Sequence, residues 1–276
     1  SMVYLNPTLP ESDLGSYYDS YSYPATLEIE SLKAHYNSIN RNSVSSYYNF
    51  ESVSNNIQQL PVKSNTLDIG GGLGEFSVYL RMNYPEFNIL MWDYRVDSEV
   101  VKELDCRNIK SYSCNFLNEP IQSQSFDLIT NWEVIEHLPV LKLDSYFKKI
   151  AKALTLDGLY ILSTPDFDSP YAQALDFWAA FPGEHLSVLS RAVLEPILNN
   201  CGLKIVNEYH ASVTMDFPDS WFAYGKSNNA SIESKSQASI INDFLKYNNI
   251  NKGFREYMRS NNLGSELILC IKKIDV

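Results

Sequence analysis

No run among the 276 residues approaches 18 consecutive apolar side chains, so no membrane-spanning helix is expected. Positive charge is in short supply. Lys and Arg total 22 against 33 Asp and Glu, a net charge of −11 that leaves no general footprint for nucleic acid or an anionic membrane surface. Cysteine is scarce as well. The four residues, at 106, 114, 201 and 270, contain no CxxC pair and match no zinc spacing, so reduced thiols with packing roles are expected. No basic, apolar leader opens the chain, and a cytoplasmic location is the expectation. Histidine is limited to His35, His137, His185 and His210, which narrows the choice of general base.

What is present is enough to build a core. At 45% hydrophobic residues, and at about 150 residues per domain, the chain reads as one large domain or one domain with an appendage. Residues 1–56 stand apart. Tyr4, Tyr17, Tyr18, Tyr21, Tyr23, Tyr36, Tyr47 and Tyr48 crowd a segment rich in Ser and Asn, and Leu27, Ile29 and Leu32 predict a short helix near 25–39. This extension is expected to pack on the main domain, at 57–276, or to close over it as a lid, since tyrosine has an apolar body and a polar tip.

From residue 65 the pattern alternates. Short apolar strands at 66–69, 88–92, 109–114, 126–130 and 159–163 are separated by helices near 75–82, 96–105 and 143–154. That alternation predicts an α/β fold with a doubly wound sheet. Ser190 then reads as the N-cap of a helix ended by Gly202, with Pro196 a candidate kink inside it. Strands at 203–206 and 267–271 close the pattern. Residues 214–262 between them read as an insertion, suited to a homodimer contact or a second flap.

The segment Asp68-Ile69-Gly70-Gly71-Gly72-Leu73-Gly74-Glu75-Phe76 is the most informative. Glycines between a strand and a helix let backbone approach a ligand closely. A dinucleotide loop needs GxGxxG, and the third glycine position is occupied here by Glu75, where a pyrophosphate would meet a carboxylate. No GK[ST] follows, so a Walker loop is absent too. The pattern therefore disfavours NAD and ATP.

This GxGxG loop, with an acid two residues before it, resembles motif I of the class I S-adenosylmethionine-dependent methyltransferases. Asp93 stands 19 residues after Gly74 at a strand end, where a carboxylate can accept from ribose hydroxyls. Ser125 to Leu138 resembles the family's segment after the fourth strand, which ends in Glu-His-Leu. The resemblance covers roughly residues 60–210. It implies a Rossmann-like seven-stranded sheet of order 3-2-1-4-5-7-6, last strand antiparallel, helices on both faces, and S-adenosylmethionine as cofactor. It places Asp68, Gly70, Gly72 and Gly74 at the cofactor's amino-acid end and Asp93 on the ribose. Tyr94 packs on the adenine, and Asn131 and Trp132 lie beside the methionine end. Asn115, followed by Phe116, departs from the family's Asp at the adenine amine, but an amide oxygen accepts that bond too. Leu156-Asp157-Gly158 stands where the family often has a Pro-Gly-Gly turn.

Methyl transfer is a displacement at a sulfonium carbon with a neutral leaving group, so positioning dominates. A hydroxyl acceptor also needs a base. His185, in Phe181-Pro182-Gly183-Glu184-His185-Leu186 after the fifth strand, is the first candidate, and His137 the second. Glu133-Val134-Ile135-Glu136-His137 resembles quinone-biosynthesis O-methyltransferases, where ExxEH is associated with a divalent cation. Glu133, Glu136 and His137 are therefore candidate ligands, although the pair orders a loop in metal-free relatives and no metal is expected. Thr164-Pro165-Asp166, an aromatic loop and then His185 resemble bacterial enzymes that decorate surface glycans. O-methylation of a small molecule or a surface-polysaccharide precursor is the expected activity. The alternatives are a quinone or other phenolic acceptor, an N-methyltransferase, or a non-catalytic S-adenosylmethionine-binding subunit.

Overall fold

A computed structural model describes residues 3–4, 29–39, 50–169, 172, 185–211, 261 and 263–274. The tyrosines at 17–23 and 47–48, the stretch 181–184 and nearly all of the insertion at 214–262 lie outside the described residues.

Seven strands form one sheet: β1 (Asn65–Ile69), β2 (Asn88–Asp93), β3 (Ile109–Ser113), β4 (Phe126–Trp132), β5 (Leu154–Pro165), β6 (Leu203–Ala211) and β7 (Glu266–Lys273). Their order is β3-β2-β1-β4-β5-β7-β6. β1 to β5 run parallel, and β7 lies antiparallel between β5 and β6. This is the order the resemblance implied.

Residue alternation sends each strand's side chains to two cores. Leu128, Ile161, Ile268 and Cys270 join the core beneath α2 (Glu75–Asn83) and α3 (Ser98–Asp105). Ile129, Tyr160, Leu162, Leu267, Leu269 and Ile271 join the core beneath α4 (Leu143–Ala153) and α5 (Arg191–Asn200). A central sheet covered on both faces needs this apolar content on both sides. α4 buries Leu143, Tyr146, Phe147 and Ile150, the i, i+3, i+4, i+7 stripe of an amphipathic helix. α3 starts at Asp97, whose side chain accepts from the Glu99 N–H at 2.8 Å.

One sequence expectation changes. β5 begins at Leu154, straight out of α4, because Phe126 pairs with Leu154 before a register shift brings Leu128 opposite Leu159. Leu156-Asp157-Gly158 therefore belongs to an irregular strand start, not a separate turn. Pro196 sits within α5 on its exposed side, as does Ala192, whose carbonyl would have been the partner of the missing N–H.

The N-terminal region contributes a helix, α1 (Ile29–Ser38), and a short ladder pairing Val3–Tyr4 antiparallel with Ser187–Val188. A 3-10 turn, Phe50–Val53, and a helical turn, Ser54–Ile57, lead into β1. Among the described residues no helix is long and apolar enough to cross a membrane.

Candidate active site

The carboxyl ends of the parallel strands and the amino end of β7 share one edge of the sheet, and the candidate residues gather there. β1 leads into the glycine loop. Gly70 and Gly74 have φ of +69° and +79°, the left-handed region that costs a side-chain-bearing residue about 1–2 kcal/mol. A Cβ on Gly70 would collide with Val134, and one on Gly74 would lie 2.8 Å from Leu104 Cδ2. The Gly70 N–H donates to the Trp92 carbonyl at 2.7 Å, tying the loop to β2.

Asp68 lies under this loop and is 1% exposed. Its two oxygens accept from Thr130 Oγ1 on β4 and Ser77 Oγ on α2, each at 2.8 Å. Burial pushes its pKa up to about 6, against the lowering effect of those hydroxyls. It braces the loop from beneath. Asp93 ends β2 half-buried. Its Oδ2 accepts from the Gly72 N–H at 2.8 Å and its Oδ1 from the Arg95 N–H at 3.0 Å. Each carboxylate oxygen keeps a further lone pair for a ligand hydroxyl. Burial raises the Asp93 pKa, and the amide donors oppose it. Tyr94, beside it, is exposed.

Asn115 follows β3. Its Oδ1 accepts from the Leu117 N–H at 3.0 Å, so the oxygen expected at the adenine amine also closes its own turn. Phe116 is buried edge-on against Tyr146, ring centroids 5.1 Å apart. Asn131 is fully buried; Tyr160 OH donates to its Oδ1, and its Nδ2 has no hydrogen-bond partner. Trp132 packs against Phe50 at 4.8 Å and Phe76 at 4.9 Å, forming a wall of one core.

Past β4 the chain turns sharply at Glu133, whose φ of +53° is left-handed for a residue with a side chain. The turn sets its carboxylate against β5, where Oε1 accepts from Ser163 Oγ at 2.8 Å. Glu136 is buried. Its Oε2 accepts from Thr164 Oγ1 at 3.1 Å, Oε1 lies 3.7 Å from His137 Nε2, and the Glu133 carboxyl packs against it. Glu266, at the head of β7 opposite Pro165, is buried with its carboxyl against Ser163 and the Glu133 carboxyl. Burial pushes all three carboxyls up, Glu133 to about 6, and the charge of Glu133 raises Glu136 and Glu266 further. Sequence reading passed over Glu266. It begins the apolar run 267–271, and a charged residue at a strand's first position looks like a boundary.

His185 meets His137 edge to face, ring centroids 4.8 Å apart. The next residue fixes this approach, because the Leu186 N–H donates to the Glu136 carbonyl at 2.7 Å. Glu136, His137 and His185 each present a ligand atom within 4.8 Å of the other two. Glu133 is not in that group. His210 is engaged elsewhere, with Nδ1 3.0 Å from Asp166 Oδ2 and Nε2 3.0 Å from Glu208 Oε1, and the Asp166 hydrogen bond raises its pKa.

The N-terminal region touches the site at two places. Tyr36 OH donates to the Leu73 carbonyl in the glycine loop, and His35 pairs with Glu75 at the start of α2. The Arg107 guanidinium lies 4.9 Å from the centre of the Tyr36 ring. The Val3–Tyr4 ladder fastens to Ser187–Val188, immediately past His185 and Leu186.

Residues 41–208, more than half of the chain, match the family model described as a methyltransferase domain. No curated protein matches the sequence. Solved structures do. The 1,6-didemethyltoxoflavin-N1-methyltransferase of Burkholderia thailandensis, bound to 1,6-didemethyltoxoflavin and S-adenosylhomocysteine, is 13% identical, with 99% of this chain and 95% of that one covered and a TM-score of 0.57. Phosphoethanolamine N-methyltransferase 2 of Haemonchus contortus is 11% identical over 98% of this chain and 62% of that one, TM-score 0.59. A SAM-dependent methyltransferase of Archaeoglobus fulgidus is 16% identical over 81% and 92%, TM-score 0.52. At these identities the structures show a shared fold, and the domain match adds the family. The chain thus belongs to the methyltransferase domain family, as an S-adenosylmethionine-dependent methyltransferase of class I.

Proposed function

We propose that S-adenosylmethionine lies along the carboxyl edge from Asp93 to Glu133 and gives its methyl group to a hydroxyl of a small molecule or a surface-polysaccharide precursor. Asp93 takes the ribose hydroxyls with the lone pairs left by Gly72 and Arg95. Backbone around Gly70 and Gly72 takes the amino-acid end, with Asp68 supplying negative charge through the loop. Tyr94, Asn115 and Phe116 border the adenine. Asn131 and Trp132 set the depth of the methionine end.

The observation that carries the acceptor chemistry is the meeting of His137 and His185 at 4.8 Å, beyond the ends of β4 and β5. A lone pair on the acceptor oxygen forms the new bond to the methyl carbon. The carbon–sulfur bond breaks with its pair going to sulfur, giving neutral S-adenosylhomocysteine. The hydroxyl proton leaves toward the imidazole pair. General-base assistance of this kind is worth about 10²–10⁴-fold. The test is methyl transfer to a panel of sugar, phenolic and amine acceptors, read by mass. His185→Ala should lose at least about 100-fold in transfer while S-adenosylhomocysteine still binds. Unchanged transfer would remove His185 from the reaction.

A second reading has its own support. The buried Glu133, Glu136 and Glu266 favour an amine acceptor, which enters as an ammonium ion and gives its proton to these carboxyls before its nitrogen lone pair attacks the methyl carbon. Transfer to amines and to no hydroxyl in the same panel selects it.

A further inference from the structure

The structure assigns a divalent-cation site to Glu136, His137 and His185, beside the methyl end of the cofactor site. The inference rests on the O-methylation reading and replaces its direct proton transfer to the imidazoles: as ligands their lone pairs go to an ion, which acidifies the acceptor hydroxyl so that its proton passes to solvent water.

Three observations converge. The first is the donor set. Two imidazoles and one carboxylate, each with a ligand atom within 4.8 Å of the others, form the three-sided arrangement that leaves coordination positions open on the fourth side. Ligands about 2.0–2.2 Å from an ion stand no more than about 4.4 Å apart, so a small swing of the part-exposed histidine rings closes the set. The second is burial. Glu136 is 0% exposed, its Oε2 is held by Thr164 Oγ1, its Oε1 faces His137 Nε2 at 3.7 Å, and the Glu133 carboxyl packs against it. Two buried carboxyls in contact cost folding free energy that a cation beside them recovers. The third is preorganisation. Glu136 and His137 are neighbours in one 3-10 turn, Ile135–His137, and the Leu186 N–H bond to the Glu136 carbonyl anchors the His185 loop to that turn. Thr164 fixes the carboxylate from behind, as outer-shell partners of metal ligands do.

The ligand set differs from the one the ExxEH motif suggests. Glu133 accepts from Ser163 on β5 and lies outside the set, and His185, 48 residues beyond His137, takes the third place. Imidazole donors favour a first-row transition ion such as Zn²⁺ over Mg²⁺. Such an ion polarises a hydroxyl and eases loss of its proton.

The test is calorimetric titration of the tag-free, chelator-treated full chain with Zn²⁺, and with Mg²⁺ for comparison. We expect one equivalent of Zn²⁺, bound at least tenfold tighter than Mg²⁺. His137→Ala and His185→Ala should each weaken Zn²⁺ at least tenfold, and Glu133→Gln should leave it within threefold. S-adenosylhomocysteine binding by the same samples reports that each variant is folded. No saturable Zn²⁺ equivalent, or equal affinity in folded His185→Ala, overturns the site. Undiminished methyl transfer in chelator does so too, and leaves the methyltransferase reading standing. Failure of the wild-type chain to bind S-adenosylhomocysteine strikes the reading on which the site rests.

Discussion

Replacing Asp68 with asparagine should stabilise the protein at neutral pH and have no effect at low pH. The carboxyl is 1% exposed and, among the described residues, its hydrogen-bond partners are the hydroxyls of Ser77 and Thr130. Its pKa stands at about 6 against an ordinary 3.8. That difference corresponds to about 3 kcal/mol disfavouring the charged form in the fold. The sign follows from proton counting. Between about pH 4 and 6 the folded state holds a proton that the unfolded state has lost, so this group's contribution to stability falls as pH rises through that window. Asn at this position keeps both contacts, its oxygen accepting from one hydroxyl and its N–H donating to the other. Urea unfolding should therefore find Asp68→Asn more stable than wild type by about 1–3 kcal/mol at pH 7.5 and equal to it at pH 4.5. S-adenosylhomocysteine affinity should fall in the same variant, because the loop loses its underlying charge. A stability difference that is the same at both pH values would refute the reasoning, as would a variant less stable at pH 7.5.

Asp93→Ala removes charge-assisted bonds worth about 1.5–3 kcal/mol, so S-adenosylhomocysteine should bind roughly 10- to 150-fold more weakly by calorimetry; a change under threefold in folded protein contradicts the ribose assignment. Gly70→Ala should lose cofactor binding and at least about 1 kcal/mol of stability by urea unfolding, since it adds a left-handed penalty to a clash with Val134. The N-terminal region is expected to act as a lid, on the strength of its contacts to Leu73, Glu75 and the strand after His185. Deleting residues up to Tyr23 should weaken the cofactor tenfold or more, about 1.4 kcal/mol, and unchanged affinity in a folded truncation would end the lid idea.

The parts that could be read in the sequence are those with local causes. The glycine loop and Asp93 announce themselves because a strand, a turn and a helix follow within a few residues. The order of the sheet was legible only through resemblance, since strand pairing is non-local. The misses share one origin. Tyr36 finds Leu73 and His35 finds Glu75 across 37 and 40 residues, and no periodicity encodes such a pairing. Glu266 looked like a strand boundary, yet β7 carries it into the site opposite Pro165. The ExxEH spacing suggested that Glu133 and Glu136 work together. The left-handed backbone at Glu133 keeps it against Glu136 and also sets it on Ser163 of β5, a contact no local spacing encodes. Asn115 Oδ1 closes a two-residue turn with the Leu117 N–H, which leaves one lone pair for a ligand.

The central claim is that the loop from Asp68 to Gly74, with Asp93, holds S-adenosylmethionine and not a dinucleotide. Calorimetric titration of the wild-type chain with S-adenosylhomocysteine and, separately, with NAD tests it most directly. The account predicts one equivalent of S-adenosylhomocysteine and no saturable heat from NAD. Binding of NAD in preference to S-adenosylhomocysteine would contradict it.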